Sequence, residues 1–311
     1  LPLRVLPLGK GEWAVNCVSP QAVKKNMKKY LLIFGATFAA LMSISQSVLK
    51  QDPLESVFPP QLEFASLAAI VPSPFYYTFK VDGVLQEIRP MDNSSSPYFW
   101  LSSGGKFILR GGIGQTIQGE LPALDKWRVL YNTTNPVDTD NGYHPQNILR
   151  LVTRSKWQNV KQELYYRIVK DNLSTSPNRN ASNGLLLMSR YQGSDTLYYS
   201  GIRVDGYAVI KKKINGTYYT MKYNRIFPGT YNHDTNPNLL PKNIWIGLRN
   251  EVITNPDNTV TIRLYMDKGK TENWVLVAEA TDDRKAFGGA PIMSSGYTGV
   301  RTDFMYVEFD D

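Results

Sequence analysis

The chain reads as all-β, with two antiparallel sheets stacked as a jelly-roll sandwich. The plainest sign is residues 198–219, YYSGIRVDGYAVIKKKINGTYY, where short β runs break at Asp205-Gly206 and Asn215-Gly216. Such pairs suit a two-residue hairpin turn with positive φ at both central positions, so three adjacent antiparallel strands are expected with almost no loop between them. Roughly a dozen runs of this kind recur after residue 75, with turn chemistry between them, as in a sandwich or barrel. Composition agrees. Aromatic residues make up 12% with 19 Tyr, the 23 Gly and 19 Pro suit many turns, and no segment shows a convincing amphipathic helical period.

The elements follow in order. Residues 1–26 show neither pattern nor periodicity and read as an upstream, non-native segment. Met27 begins MKKYLLIFGATFAALMSISQS, in which two lysines precede an apolar run and small residues follow. Residues 27–47 are therefore expected to be a secretory signal peptide, since the apolar run is shorter than the ~20 residues of a membrane span. Residues 48–74 are Pro-rich and read as a linker or an N-terminal strap. Strands are expected from Phe75 to Val81, ended by Asp82-Gly83, then near Tyr98–Leu101, Lys106–Leu109 and Thr116–Gly119. After a polar loop at 131–146 come Asn147–Arg154 and Gln162–Val169. After a second loop at 170–183 comes a dense series: Gly184–Tyr191, Thr196–Val204, Tyr207–Ile214 and Thr217–Tyr223. A loop rich in Pro, Asn and Gly covers 227–243. Trp245–Ile253, Val260–Met266, Trp274–Ala280 and a last strand Phe304–Phe309 complete the set, with NPDN at 255–258 as a tight turn. Residues 75–311 thus read as one domain. The chain stops at Asp311 in or just after its last strand, so a fragment is one reading.

Charge narrows the partners. The formal net charge is +8, but residues 1–47 hold Arg4, Lys10, Lys24, Lys25, Lys28 and Lys29 against Glu12 alone. The remainder carries 29 basic and 26 acidic residues, a net of +3. The basic balance belongs mostly to the leader, so nucleic acid is not an expected partner. The only cysteine, Cys17, lies in the same leader. The body has no thiol, which excludes thiol catalysis, thiolate metal sites and disulfides. Asn-x-Ser/Thr sequons start at Asn93, Asn132, Asn172, Asn180 and Asn215, and in a chain so rich in these residues chance accounts for them at least as well as glycosylation.

Three segments resemble the concanavalin A-like (LamG-like) superfamily of lectins and glucanases: NGLLLMSRYQ at 183–192, LYYSGIRVDGYAVIKKKINGTYY at 197–219 and the closing GYTGVRTDFMYVEFDD at 296–311. The resemblance covers about residues 75–311. It implies two stacked sheets, saccharides held in a concave one, and a terminal strand beside the N-terminal strand. The glucanase signature E-x-D-x-x-E, which supplies paired carboxylates, is absent, and so are the alginate-lyase signatures Arg-x-Glu-x-Arg and Gln-Ile-His.

Alternation along the strands nominates the site. Tyr199, Gly201 and Arg203 share one face of 196–204, Tyr207, Val209, Lys211 and Lys213 one face of 207–214, and Met188 and Arg190 one face of 184–191. Arg190, Tyr199, Arg203, Lys211 and Lys213 are therefore expected to converge, with His233 reaching in from its loop. Tyr offers a ring for the C–H face of a sugar, and Arg a planar fork for carboxylate, sulfate or vicinal hydroxyls. The bland alternative is solvated cross-strand pairs. Strand acids Glu163, Glu251, Asp303 and Glu308 form no same-face pair within a strand, so the two carboxyls that glycoside hydrolysis uses are not apparent. β-Elimination of a uronide needs a cation and a base such as Tyr, His or Lys, and Arg190, Arg203, Lys211, the tyrosines, His144 and His233 supply those types. Calcium is a candidate cofactor at DTDNG (138–142), HDTNPN (233–238), Asp303 and Asp310. The expected function is secreted or cell-surface recognition of a polysaccharide. The alternatives are a polysaccharide lyase or glycoside hydrolase of the same fold acting on an acidic glycan, and an adhesive or structural envelope protein.

Overall fold

The structure, a computed structural model, describes residues 67–69 and 74–311. The expectations for 1–26 and 27–47, and most of 48–74, fall outside the described residues. Fifteen strands are present among the described residues: β1 (Gly83–Gln86), β2 (Phe99–Ser103), β3 (Lys106–Arg110), β4 (Ile113–Gln115), β5 (Ile148–Trp157), β6 (Val160–Asp171), β7 (Gly184–Gly193), β8 (Thr196–Arg203), β9 (Tyr207–Ile214), β10 (Thr217–Arg225), β11 (Trp245–Thr254), β12 (Val260–Lys268), β13 (Val275–Asp282), β14 (Gly296–Asp303) and β15 (Met305–Asp310). They form two antiparallel sheets, one of eight strands in the order β1-β3-β4-β15-β6-β11-β12-β13 and one of seven in the order β10-β9-β8-β7-β14-β5-β2. Neither closes on itself, so this is a β-sandwich, as the sequence predicts.

Period-two burial explains the stacking. Tyr198 and Ile202 of β8, Ala208 and Ile210 of β9, and Leu185 and Leu187 of β7 point inward from the smaller sheet. They meet Ile246, Leu248 and Val252 of β11 and Val260, Ile262 and Leu264 of β12 from the larger one. Asn215 (φ 48°) and Gly216 (φ 81°) make the expected turn between β9 and β10. At the β8–β9 turn only Gly206 is in the left-handed region, so Asp205 departs from the expected geometry.

The structure also differs from the sequence reading in four of its elements. Phe75–Val81 joins no ladder, because Phe79 takes φ 54°, and regular pairing starts at β1. The third early strand is β4 at Ile113–Gln115 and not Thr116–Gly119. A helix, α1 (Lys126–Thr134), is present where none is predicted. Asp125 caps it by accepting from the Trp127 N–H at 2.8 Å, and Trp127 and Tyr131, one turn apart, are its buried face. The Tyr131 hydroxyl donates to Glu87 at 2.6 Å and the Trp127 indole to Gln86 at 2.7 Å, which fixes the helix to the end of β1. Finally, the closing segment is two strands in different sheets. β14 lies between β7 and β5, the chain turns at Phe304 (φ 53°), and β15 inserts between β4 and β6. Among the described residues no helix is long and apolar enough to cross a membrane.

Candidate functional site

β14 decides what the outer face of the seven-stranded sheet carries. Its pairing places Arg301 beside Leu186 of β7 and directly opposite Arg150 of β5. Val152, Leu186, Met188, Leu197, Tyr199 and Val209 form a buried apolar floor on this same face. Over the floor stand cations and rings. Tyr218 of β10 faces Lys213 in register, is 48% exposed, and stacks on buried Tyr199 with ring centroids 6.1 Å apart and planes 24° from parallel. The ammonium groups of Lys213 and Lys211 lie 4.6 and 5.7 Å from the Tyr218 ring, and the Arg301 guanidinium 5.9 Å from that of Tyr199.

Charge on this face is uneven. Arg301 donates to Asp303 at 2.8 Å, and Arg203 to Asp205 at 2.8 Å. Arg150 Nε is buried and finds no hydrogen-bond partner. Lys211 is pulled below its usual range, first by burial and then by the guanidinium groups of Arg203 and Arg301. Burial pushes the Tyr218 phenol up, but Arg301 and Lys213 outweigh it and bring the group below the usual tyrosine value. Burial dominates at Tyr199, whose phenol is raised. The face therefore presents more positive charge than its own carboxylates compensate.

Of the residues nominated from sequence, Tyr199, Arg203, Lys211 and Lys213 do share this face. Arg203 lies toward its end, held by the Ala181 carbonyl at 3.0 Å and 4.9 Å from the Tyr223 ring. Arg190 does not join them. The β7–β8 register breaks after Ser189, and Arg190 takes φ 47°. Its side chain is fully buried, donating to the carbonyls of Gln158 (2.9 Å) and Ile292 (2.6 Å) and to Thr254 Oγ1 (2.7 Å). It ties the ends of the two sheets together, away from the outer face of the seven-stranded sheet. His233 also stays apart. Its loop is anchored at the end of the sandwich, where Leu239 N–H donates to Val204 O at 2.7 Å and Arg179 donates to the His233 carbonyl at 2.9 Å. His233 Nδ1 is bonded to Asp234 at 2.5 Å. Arg150, Tyr218 and Arg301 are the members that the sequence reading does not nominate.

The calcium candidates are engaged elsewhere. Asp140 accepts from His144 (2.8 Å), Asn172 (2.7 Å), Asn147 (3.2 Å) and the Ser174 hydroxyl. Asp138 accepts from Ser176 (2.6 Å), Asn178 (2.9 Å) and Asn135 (3.2 Å). These bonds make DTDNG a latch between two loops. Asp303 and Asp310 are bound to Arg301 and Lys270. Among the described residues no group of three or more His, Cys, Asp or Glu is placed to hold a metal. Burial raises the Asp140 pKa, but the bonds from His144, Ser174 and Asn172 outweigh it and hold the group at about 2. A depressed carboxyl stabilises the fold above its unfolded value and loses that contribution as pH falls through the folded value. Urea unfolding followed from pH 5 to pH 2 should therefore show a loss on the order of 1 kcal/mol, solvent screening of this partly exposed carboxyl included, that Asp140→Asn lacks.

The strand acids are likewise committed. Glu163 accepts from Arg249 at 2.7 Å, and Glu308 accepts from Arg167 at 2.5 Å and Gln115 at 3.1 Å.

No protein-family model and no curated protein matches the chain. Solved structures do. The carbohydrate binding module CBM66 from Bacillus subtilis is similar at TM-score 0.37 and 13% identity, over 53% of this chain and 80% of that one. A β-glucanase from Bacillus licheniformis aligns at TM-score 0.30 and 8% identity, over 74% and 98%. A marine alginate lyase from Aplysia kurodai aligns at TM-score 0.31 and 10% identity, over 73% and 96%. The strand order is that of an antiparallel β-sandwich whose closing strands are exchanged between two stacked sheets.

Proposed function

We propose that the protein binds an acidic polysaccharide along the outer face of the seven-stranded sheet. One observation carries this: Arg150 and Arg301 stand directly opposite each other across β5 and β14, next to Lys211 and the half-exposed Tyr218 ring. Like charges in that position destabilise a sheet. A carboxylate or sulfate seated between the two guanidinium groups removes the repulsion, while the Tyr218 ring meets the sugar's C–H surface. The leader-like segment from Met27 supports action outside the cytoplasm.

The test is a binding panel of polygalacturonate, alginate, heparin, laminarin and xylan measured by affinity electrophoresis at several salt concentrations. Acidic chains should bind, and their affinity should fall steeply with salt. Equal binding of neutral and acidic chains would remove the charge assignment, and silence across the panel would remove the saccharide reading itself.

A second reading is a lyase, favoured by the lowered Tyr218 phenol and its interaction with Arg301. In such a reaction Arg301 would neutralise the uronate carboxylate and the Tyr218 phenolate would take the proton from the carbon next to it; the electron pair would form the carbon–carbon double bond as the glycosidic C–O bond breaks, and the Tyr218 phenol would return the proton to the leaving oxygen. Incubation with polyuronides, following ultraviolet absorbance of the unsaturated product, decides it. The lyase form predicts product that disappears in Tyr218→Phe, and the binding form predicts none.

A further inference from the structure

The opposite sheet carries an independent cleft. Its floor is the outer face of β6 and β11, where Gly247 lies between two rings. A Cβ at Gly247 would come within 2.7 Å of both Trp274 Cη2 and Tyr165 Cε1, so only glycine admits both rings to the sheet surface. The rings lie 5.6 Å apart at 49°. Both are held from behind by one buried carboxylate. Asp267 accepts from the Tyr165 hydroxyl at 2.8 Å, from Thr271 N–H and Oγ1 at 2.8 and 2.6 Å, and from Glu272 N–H at 2.9 Å. The segment that brings Trp274 onto the floor is thus fixed in place. Arg249 stacks over Trp274 at 4.0 Å, and Lys270 lies 5.1 Å from Tyr165. With Glu163, Glu272 and Asp311 they line an open cleft of about 460 Å³, within the range of small-molecule sites.

Charge separates this cleft from the other face. Arg249 is already neutralised by Glu163 at 2.7 Å and Lys270 by Asp310 at 2.8 Å. Cations so paired attract an anion less than the seven-stranded face does, where Arg150 stands opposite Arg301 with no carboxylate bonded to it among the described residues. A polyhydroxyl ligand gains from both partners, donating its hydroxyl protons to carboxylate oxygens and accepting from guanidinium and ammonium groups. The edges of Trp274 and Tyr165 meet its apolar C–H surface. We infer that the cleft over Gly247 is a second binding site, and that it takes a neutral saccharide of one or two sugar rings. The inference does not rest on the reading of the seven-stranded face. If both sites are filled by one glycan network, the two weak contacts add as avidity.

The experiment is titration of the full chain with cellohexaose, xylohexaose, mannohexaose and laminarihexaose, read by tryptophan fluorescence and calorimetry. At least one should bind saturably with a change in tryptophan emission. Affinity should fall at least tenfold in Trp274→Ala and in Glu163→Gln, and be unchanged in Tyr218→Ala. Glu163 is about half exposed, so Glu163→Gln keeps the test open should Trp274→Ala misfold. The site is overturned if none of the four binds, or if Glu163→Gln and Trp274→Ala both bind as the parent does. Polygalacturonate binding that persists in these two variants and is lost in Tyr218→Ala would leave the seven-stranded face standing whichever way the cleft falls.

Discussion

Asp282→Ala is expected to cost about 3–5 kcal/mol of stability, the largest effect of any single substitution considered for this chain. Asp282 closes β13 in one sheet and Lys212 lies on β9 in the other. Both side chains are fully buried, 2.9 Å apart. Lys212 also donates to the carbonyls of Gly289 (3.0 Å) and Ala290 (2.7 Å), and the Tyr198 hydroxyl donates to Asp282 at 2.7 Å. Tyr198 in turn accepts from the Ile292 N–H at 2.9 Å. Removing the carboxylate leaves an ammonium between two sheets with no counter-charge, and water cannot reach it without opening the core. Lys212→Met should cost a similar amount, since it strands the carboxylate instead. The double variant Lys212→Met/Asp282→Leu should cost much less than either single change, because apolar groups need no partner. Urea unfolding followed by tryptophan fluorescence measures all three. A loss below about 1 kcal/mol in Asp282→Ala would mean that the pair is solvated and the sandwich is open at this edge.

The same lysine marks how far sequence reaches. In the run Lys211-Lys212-Lys213, alternation sends the outer two to one face and the middle one to the core side, with Ala208 and Ile210. That much follows from period two. What neutralises Lys212 does not, because its partner sits seventy residues away in the other sheet. Tyr199, Arg203, Lys211 and Lys213 were likewise legible as one face, since the hairpin turns fix their register. Tyr218 was within reach as well: the Asn215-Gly216 turn sets it opposite Lys213. Arg190 was not legible, because an irregularity in the β7–β8 pairing reverses its side and alternation assumes unbroken pairing. Arg301 and Arg150 come together only through the insertion of β14 between β7 and β5, a long-range choice that no local pattern encodes. Helix α1 was hidden by its own residues. KWRVLYNTT is rich in β-branched and aromatic side chains, and what makes it helical is the Asp125 cap and the docking of Trp127 and Tyr131.

Arg301 is where fold and proposed function meet, and its replacement is expected to cost most of the affinity for acidic glycan. A charge-assisted contact to a carboxylate or sulfate is worth about 1.5–3 kcal/mol, so Arg301→Met should weaken polygalacturonate binding by roughly 10- to 100-fold. A second readout follows from the same geometry. Arg301 is the foremost influence holding the Tyr218 phenol below its usual range against burial. In Arg301→Met that phenol should titrate at higher pH, seen as a shift of one tyrosine in the ultraviolet absorbance titration. Arg301→Met also deprives Asp303, which is 2% exposed, of its partner, so some stability is lost with it. Arg150→Met separates the two effects. Arg150 has no carboxylate bonded to it among the described residues and faces Arg301 across the strands. Its removal should weaken acidic-glycan binding while leaving stability unchanged or improved, because a like-charge contact disappears. If Arg150→Met binds acidic glycan as well as the parent does, the opposed arginines are a structural accident and the anion seat between them does not exist.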